Sequence, residues 1–235
     1  MHHRIKKKNI IVYLSKISEM MNLSPALLIS RVIILLIAFT FHEFSHAQAA
    51  VWLGDDTPRL DGRLTLNPLR HLDPWGCLLL LVAGFGFAKP VRVNPYAVTR
   101  KNKAGMMLVA AAGPCANLLL AILGAIILRS GLIRTNTPPF GLNWLPGPIY
   151  FFTQFIWTNL SLMVFNLIPL APLDGEKVVS YFIPESFRKT WYQIQANGTK
   201  ILMVCFFVLP YLRINFMDNI ISGLTMALYR LLLGA

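Results

Sequence analysis

Charged residues are scarce in this 235-residue sequence: they make up only 14% of it, against 55% hydrophobic residues. An ordinary soluble domain carries about 25% charged residues, so the composition argues against one. The apolar residues also occur in blocks, rather than at the period of about 3.6 or 2.0 residues typical of an amphipathic helix or strand. The sequence therefore predicts an all-α polytopic membrane protein with a single domain, 1–235.

Cysteine is also rare, and acidic residues are outnumbered by basic ones. The three cysteines, Cys77, Cys115 and Cys205, are scattered and form no CxxC pair, which argues against a disulfide framework. A net charge of +12 would suit a nucleic-acid-binding protein, but no DNA- or RNA-binding motif accompanies it. In membrane proteins an excess of Lys and Arg marks cytoplasmic loops that face anionic lipid. The expected partner is therefore the lipid bilayer and not nucleic acid.

Five apolar blocks predict the transmembrane architecture, which has about five to six transmembrane helices. The blocks cover residues 30–53, 104–128, 149–170, 200–213 and 216–233. A further apolar segment, WGCLLLLVAGFGFA at 75–88, has a core of about a dozen residues, whereas a spanning helix needs about 20. This segment is predicted to be re-entrant, so that it enters the membrane and leaves it on the same side.

The stretch FHEFSH places three ionisable side chains inside the first apolar block. A charged side chain near the centre of a transmembrane helix costs roughly 2.5–3.5 kcal/mol, so such groups are usually functional. His42 and His46 are four residues apart and share one helix face, where both imidazoles can bind one zinc ion. Glu43 can then act as a general base. The alternative is a polar helix face with two hydrogen-bonded histidines.

A third ligand is required, because a catalytic zinc has about three protein ligands. Asp174 follows the apolar stretch WTNLSLMVFNLIPLAPLDG, whose prolines unwind the helix before it, and broken helices in membranes line polar cavities. If 75–88 does not span, two further crossings return Asp174 to the side where the first helix ends. Alternatively, Asp174 only ends a helix in an Asp-Gly turn. The other candidates lie mostly in polar loops: His71, Asp55, Asp56, Asp61, Asp73, Glu176 and Glu185.

Four motifs, in their order along the chain, resemble those of the site-2 proteases, zinc metalloproteases that cleave substrates within the membrane. The motifs are FHEFSH, AGFGFAKPVRVNP, AAGPCANLLLA and FNLIPLAPLDGEKV. The resemblance covers about residues 25–215, the expected core of the domain. It implies that His42, His46 and Asp174 bind one Zn²⁺ per chain, and that Glu43 activates the attacking water. The chain resembles the compact bacterial branch, without the PDZ or CBS domains of larger members.

Two asparagines are assigned through the same resemblance. Asn117, in the GPCAN stretch, is expected to face the site and to hold the substrate or the developing oxyanion. The alternative for Asn117 is helix packing, since an intramembrane amide seeks a hydrogen-bond partner. Asn166, which opens NLIPLAPLDG, is expected either to bind the substrate or to satisfy backbone groups freed by Pro169 and Pro172.

The segment GFGFAKPVRVN matches a strand-like loop that, in the family, lies near the active site and presents an extended substrate. The predicted substrate-binding residues in this loop are Gly86, Lys89, Pro90 and Val91. An edge strand could pair with the substrate backbone and hold it unwound for cleavage. The alternative is a plain interfacial loop.

The distribution of basic residues predicts which side of the membrane the site faces. Lys and Arg number eight in loop 54–103 and three in loop 171–199, but only two in loop 129–148. The positive-inside rule then places the protein in the cell membrane with its active site nearer the cytoplasm. The basic tail (Arg4, Lys6, Lys7 and Lys8) contradicts this, unless an additional insertion follows it or the tail is an exception.

The predicted function is therefore that of a zinc-dependent intramembrane endopeptidase acting on transmembrane protein or peptide substrates. The main alternative is an intramembrane metal-binding or transport protein without peptidase activity, which has no need for Glu43. A di-iron desaturase needs about eight histidines, and the chain has five. A non-catalytic relative would usually lack Glu43 or a ligand. A homo-oligomer or a regulatory membrane partner is left open.

Overall fold

The structure is a computed structural model that describes residues 25–71, 73, 76, 89–142 and 145–234. Within these ranges the chain is mostly helical and contains no strand. The helices are α1 (Pro25–Trp52), α2 (Thr57–Leu60), α3 (Pro95–Lys101), α4 (Gly105–Arg129), α5 (Pro148–Asn166), α6 (Asp174–Ser180), α7 (Glu185–Ala196), α8 (Gly198–Met203), α9 (Leu209–Tyr211) and α10 (Phe216–Leu233). Short 3₁₀ turns cover Pro68–Arg70 and Pro139–Gly141, and a π-helical turn covers Val204–Val208.

Two described helices, α1 and α4, are long and apolar enough to cross a membrane. They have 28 and 25 residues, which at about 1.5 Å per residue exceeds a hydrocarbon core of about 30 Å. A third crossing is present if Glu185–Ala196 and Gly198–Tyr211, which are bent by 56° relative to each other, form one span. The predicted class, a helical membrane protein, is thus confirmed, whereas the number of crossings stays a prediction.

Four of the five apolar blocks correspond to regular helices, and the prediction for the remaining block, 200–213, needs a correction. Blocks 30–53, 104–128 and 149–170 overlap α1, α4 and α5, and block 216–233 coincides with α10. Block 200–213 is not one regular helix, because a π-helical turn interrupts it and the Leu209 N–H bonds the carbonyl of Val204. Pro210 gives the physical reason, since it has no N–H and crowds the carbonyl four residues earlier.

Residues 89–94, the described part of the predicted strand-like loop, are irregular and form no strand. Their N–H groups bind other parts of the protein instead of a neighbouring strand. The Lys89 N–H donates to the carbonyl of His71, the Val91 N–H to the Glu43 carboxylate and the Asn94 N–H to the Asp55 carboxylate. The backbone is therefore held by side chains and a single carbonyl rather than by a sheet.

Helix α4 is central to the fold, since it packs against α1, α5 and α6, while α10 packs against α5. Small side chains allow this close packing. Ala121 and Ala125 of α4 are buried against Ile156 and Leu160 of α5. Because α4 contacts both α1 and α6, it brings the first apolar block together with the segment that follows the third block.

Candidate metal centre

The structure brings His42, His46 and Asp174 together in a buried triangle of potential metal-ligand atoms. The two Nε2 atoms are 3.0 Å apart, and each is 3.2 Å from Oδ2 of Asp174. A tetrahedral zinc ion with ligands at about 2.0–2.2 Å separates its ligand atoms by about 3.3 Å. The three atoms therefore have the separations that a single zinc ion requires.

The far sides of both imidazoles are held by oxygen atoms. Nδ1 of His42 lies 2.7 Å from Oδ1 of Asn117, and Nδ1 of His46 lies 2.7 Å from the carbonyl oxygen of Val109. A carbonyl oxygen can only accept, so each Nδ1 carries the proton. With no second proton on either ring, as metal binding requires, both Nε2 atoms present lone pairs to a cation beside the Asp174 carboxylate. This donor set fits a cation, since a ligating histidine usually donates its other N–H to such an acceptor.

A chain of buried amides fixes the orientation of Asn117. The Asn159 Nδ2 donates to the carbonyl of Phe155 at 2.9 Å, so Oδ1 of Asn159 faces Asn117 and accepts from its Nδ2 at 3.0 Å. Nδ2 of Asn117 also lies 3.4 Å from the carbonyl of Ala38. Oδ1 of Asn117 must therefore face His42. Asn117 and Asn159 are both fully buried, so this chain sets the His42 tautomer away from water.

Asp174 reaches the two histidines because the helix before it stops early. Helix α5 ends at Asn166, and residues 167–173 form a turn-rich loop before α6 begins at Asp174. Gly175 permits a close approach there: a Cβ at this position would lie 2.5 Å from the carbonyl oxygen of Ile168. The glycine after Asp174 is thus required by packing rather than by an Asp-Gly turn alone.

Glu43 is buried beside the two histidines and contacts the predicted substrate segment. Its side chain is 8% exposed, and its Oε2 accepts a hydrogen bond from the Val91 N–H at 3.1 Å. The position of Glu43 between the two histidines in sequence places it on the adjoining face of α1. The carboxylate is therefore tied to residues 89–94, one residue along α1 from His42.

Gly113 of α4 covers the imidazole rings of both histidines. A Cβ at position 113 would lie 2.6 Å from Cε1 of His42 and 2.6 Å from Cε1 of His46, closer than real Cβ atoms come. Together with Ala116 and Asn117, Gly113 forms a small helix face of the GPCAN stretch. In the structure this face packs on the metal centre itself.

The other candidate ligands have different partners. The Asp55 carboxylate accepts from the backbone of Thr57 and Asn94, and Nε2 of His71 bonds the carbonyl of Thr65 at 2.7 Å. The remaining carboxylates bind as follows: Asp56 to Arg59, Asp61 to Arg92, Asp73 to the Gly76 N–H, Glu176 to Ser180 and Glu185 to Arg188. In the part of the chain that the structure describes, only His42, His46 and Asp174 form a group that could hold a metal ion.

The predicted substrate-binding residues divide into three groups. Gly86 lies outside the described residues. Lys89, Pro90 and Val91 adjoin Glu43 through the Val91 N–H, and the Pro90 carbonyl accepts from Arg63 at 3.4 Å. Asn166 donates from Nδ2 to the carbonyl of Leu162 at 2.9 Å, within its own helix. It does not bond to the carbonyls that Pro169 and Pro172 leave without their helical donors.

Several positions around the centre were not found from the sequence. Asn159 had a usable signal, because a buried amide inside an apolar block needs a partner. The carbonyl of Val109 and the Gln195 side chain gave none, since their contacts come from distant parts of the chain. Asn117 was found from the sequence, and its Nδ2 lies within hydrogen-bond distance of Asn159 and Ala38; its role toward a substrate stays a prediction.

Comparison with known proteins agrees with this centre. Residues 130–210 match the model of peptidase family M50, a range that contains Asp174 but not the two histidines. The chain is 42% identical over 175 residues to "Putative zinc metalloprotease YwhC" of Bacillus subtilis, covering 74% of this chain and 78% of that protein. No solved structure gives a significant match.

Two mycobacterial relatives match over shorter shares of their length. "Putative zinc metalloprotease Rip2" of Mycolicibacterium smegmatis is 33% identical over 149 residues, covering 60% of this chain and 52% of the relative. Rip2 of Mycobacterium tuberculosis is 32% identical over 160 residues, covering 65% and 57%. The chain therefore spans little more than half the length of the Rip2 proteins.

These features define a zinc metalloprotease whose candidate metal site joins the apolar helix α1 to the start of α6. The chain belongs to peptidase family M50, the site-2 protease family that its four motifs resemble. The prediction of a zinc cofactor is confirmed with it, since three residues of this chain form a suitable donor set.

Proposed function

We propose that the protein is a zinc-dependent endopeptidase of membrane-embedded protein or peptide substrates, with His42, His46 and Asp174 as its zinc ligands. The observation that supports this best is the triangle of two Nε2 atoms and one Oδ2 atom at 3.0–3.2 Å. The N–H groups of both rings point away from that triangle. A cation placed between these three acceptor atoms would offset their mutual repulsion.

Glu43 is the proposed general base. Zinc held by these three residues would polarise the scissile carbonyl and lower the pKa of the attacking water, so that the water could lose a proton near neutral pH. Glu43 takes the proton of the attacking water and passes it to the leaving nitrogen. The Val91 N–H supports this role because it fixes the carboxylate beside the centre. A metal transporter has no use for a carboxylate held in this way.

Asn117 is proposed to orient His42 instead of binding the oxyanion. Its Oδ1 fixes the His42 tautomer, and its N–H groups are engaged. The segment containing Gly86, Lys89, Pro90 and Val91 is proposed to bind the substrate, since Val91 adjoins Glu43. Asn166, the last residue of α5, stays a further candidate for substrate contact.

For the membrane arrangement we propose five to six crossings, with α5 and α10 added to the helices that meet the length and composition criteria. Segment 75–88 lies outside the described residues except for Gly76, and we propose that it is re-entrant. The support is the hydrogen bond of 2.8 Å between the Lys89 N–H and the His71 carbonyl, which places the two flanking residues together.

The excess of Lys and Arg supports an active site nearer the cytoplasm of the cell membrane. A homo-oligomer or a regulatory partner stays a prediction.

Cysteine labelling tests the re-entrant segment. In a chain without native cysteines, single cysteines at Leu69 and Lys89, both exposed, should react with a membrane-impermeant maleimide from the same side. A cysteine at Leu132, exposed beyond the end of α4, should react from the opposite side. Labelling of positions 69 and 89 from opposite sides would mean that the segment crosses the membrane.

A second prediction concerns the glycine over the imidazoles. Gly113→Ala should weaken zinc binding about 100-fold or more, because the new methyl group displaces both rings, and lesser disturbances around zinc ligands already cost about 10–100-fold. Gly223→Ala is the matched control, since a Cβ there meets nothing within 4 Å. Zinc affinity is measured by competition with a chelator. Unchanged affinity in Gly113→Ala would contradict the described packing of α4 on the centre.

The function itself is tested in cells that lack the natural protein and make either the wild-type chain or Glu43→Gln. The membrane proteomes of the two strains are compared. Full-length substrates should accumulate in the variant strain, and their fragments should end within transmembrane segments in the wild-type strain. Identical proteomes under all growth conditions, with both chains present and loaded with zinc, would favour a metal-binding protein without peptidase activity.

A further inference from the structure

We propose that Gln195 is a positioning residue for Asp174, and that it holds the loop before Asp174 in the conformation that metal binding needs. This inference rests on the proposed function, because it takes Asp174 as a zinc ligand. Gln195 lies on α7, more than twenty residues after Asp174, and is 9% exposed. Nothing in the motifs of the sequence pointed to it.

The Gln195 side chain binds the loop at two points. Its Oε1 accepts from the Ala171 N–H at 2.8 Å, and its Nε2 donates to the Pro169 carbonyl at 3.0 Å. An amide offers one acceptor and one donor group in a fixed arrangement, so both ends are used on a single stretch of backbone. The contact is therefore specific to the amide and not a matter of side-chain volume.

Only some of the backbone hydrogen-bonding groups of the loop find partners within the loop and the end of α5. The Ile168, Leu170 and Leu173 N–H groups bond to carbonyls of Phe165, Ile168 and Leu170 within the same turn-rich segment. Pro169 and Pro172 have no N–H to contribute. Gln195 supplies the partners for the Pro169 carbonyl and the Ala171 N–H. Without it, two backbone groups in a half-buried loop would lose their hydrogen bonds.

A glycine three residues after Gln195 supports the same contact with the loop. Gly198 begins α8, and a Cβ there would lie 2.9 Å from the Ala171 nitrogen. The junction of α7 and α8 thus approaches the backbone of Ala171 closely, and a larger residue at 198 would push it away. Gln195 and Gly198 together therefore hold the loop against the junction of α7 and α8.

The placement of this loop matters because Asp174 is the one ligand that α1 does not supply. His42 and His46 keep their spacing within a single helix. Oδ2 of Asp174 must be set against them by a separate segment, and metal sites require placement within about 0.5 Å. Gln195 acts three residues before Asp174, on the only non-helical stretch between α5 and α6.

The test uses the full-length chain, purified and stripped of metal, with Gln195→Met and Gln195→Glu. Methionine keeps the length but has no amide hydrogen bonds, whereas glutamate keeps the acceptor for Ala171. Zinc affinity should fall about tenfold to 100-fold in Gln195→Met, as for other groups that orient metal ligands, and less in Gln195→Glu. With Co²⁺ in place of zinc, the visible absorption spectrum of Gln195→Met should change. Gln193→Met, on the exposed face of α7, should match the wild type.

The outcomes separate this inference from the proposed function. Wild-type zinc affinity and an unchanged Co²⁺ spectrum in Gln195→Met would overturn the role of Gln195, even if the metal-free variant melts at a lower temperature. If Gln195→Met does not fold, the same comparison with Gln195→Glu decides, and wild-type affinity there overturns the role as well. Asp174→Asn is measured in parallel. If that variant keeps zinc, the proposed ligand set is what fails.

Discussion

Glu43→Gln is expected to abolish peptide-bond cleavage while one zinc ion per chain is retained. Glutamine keeps the shape of the side chain and can still bond the Val91 N–H through its oxygen, but it cannot take a proton from water. Loss of a general base costs about 10²–10⁴-fold in rate, and here the same group also returns the proton to the leaving nitrogen. The His42, His46 and Asp174 atoms are unchanged, so zinc content should stay at the wild-type level.

The control for Glu43→Gln is Glu185→Gln, the same change at an exposed carboxylate paired with Arg188. Both variants are compared with the wild type on one membrane-embedded substrate found in the proteome comparison. Cleavage by Glu43→Gln at a rate near that of the wild type would remove Glu43 as the base. Loss of zinc from Glu43→Gln would instead indicate that the carboxylate contributes to metal binding.

Asp174→Asn is the second substitution with a large expected effect. Both zinc binding and cleavage should fall. The amide has nearly the same shape as the carboxylate, but it lacks the negative charge that favours a cation against two neutral imidazoles. Zinc affinity should drop by more than about 100-fold, since even groups that only orient zinc ligands contribute about 10–100-fold. The folded state should also lose the stabilisation that bound metal gives it.

Asp56→Asn provides the comparison for Asp174→Asn. Asp56 is an exposed loop carboxylate that pairs with Arg59, so its amide variant should keep normal zinc content and activity. If Asp174 only ended a helix, asparagine would serve as well, because Asn-Gly turns are as favourable as Asp-Gly turns. Normal zinc content in Asp174→Asn would therefore reduce Asp174 to a structural residue.

The features found from the sequence are those that depend on helix geometry and on the length and composition of single segments. The spacing of His42 and His46 follows from helix geometry alone, and the apolar blocks that became α1, α4, α5 and α10 follow from their length and composition. Asp174 could be chosen among many carboxylates because prolines interrupt the helix before it. The meeting of Asp174 with the two histidines then followed from counting membrane crossings, which needs no knowledge of side-chain packing.

Features that depend on contacts between distant segments could not be predicted. The amide of Asn117 was correctly associated with the site region, but its partners, His42 and Asn159, lie on two other helices. The segment 89–94 was expected to resemble a strand, yet side chains of Glu43 and Asp55 take its N–H groups. The π-helical turn in block 200–213 depends on how Pro210 is accommodated, which apolar composition does not reveal.

Zinc X-ray absorption on the purified wild-type protein, together with its metal content, shows whether His42, His46 and Asp174 form one zinc site. The expected result is one zinc ion per chain, bound by two imidazole nitrogens and by oxygen atoms, with no sulfur ligand. The same spectrum of Asp174→Asn, loaded with excess zinc, should differ. A protein without zinc, a site with sulfur ligands from the native cysteines, or a site unchanged by Asp174→Asn would mean that these three residues do not form the zinc site.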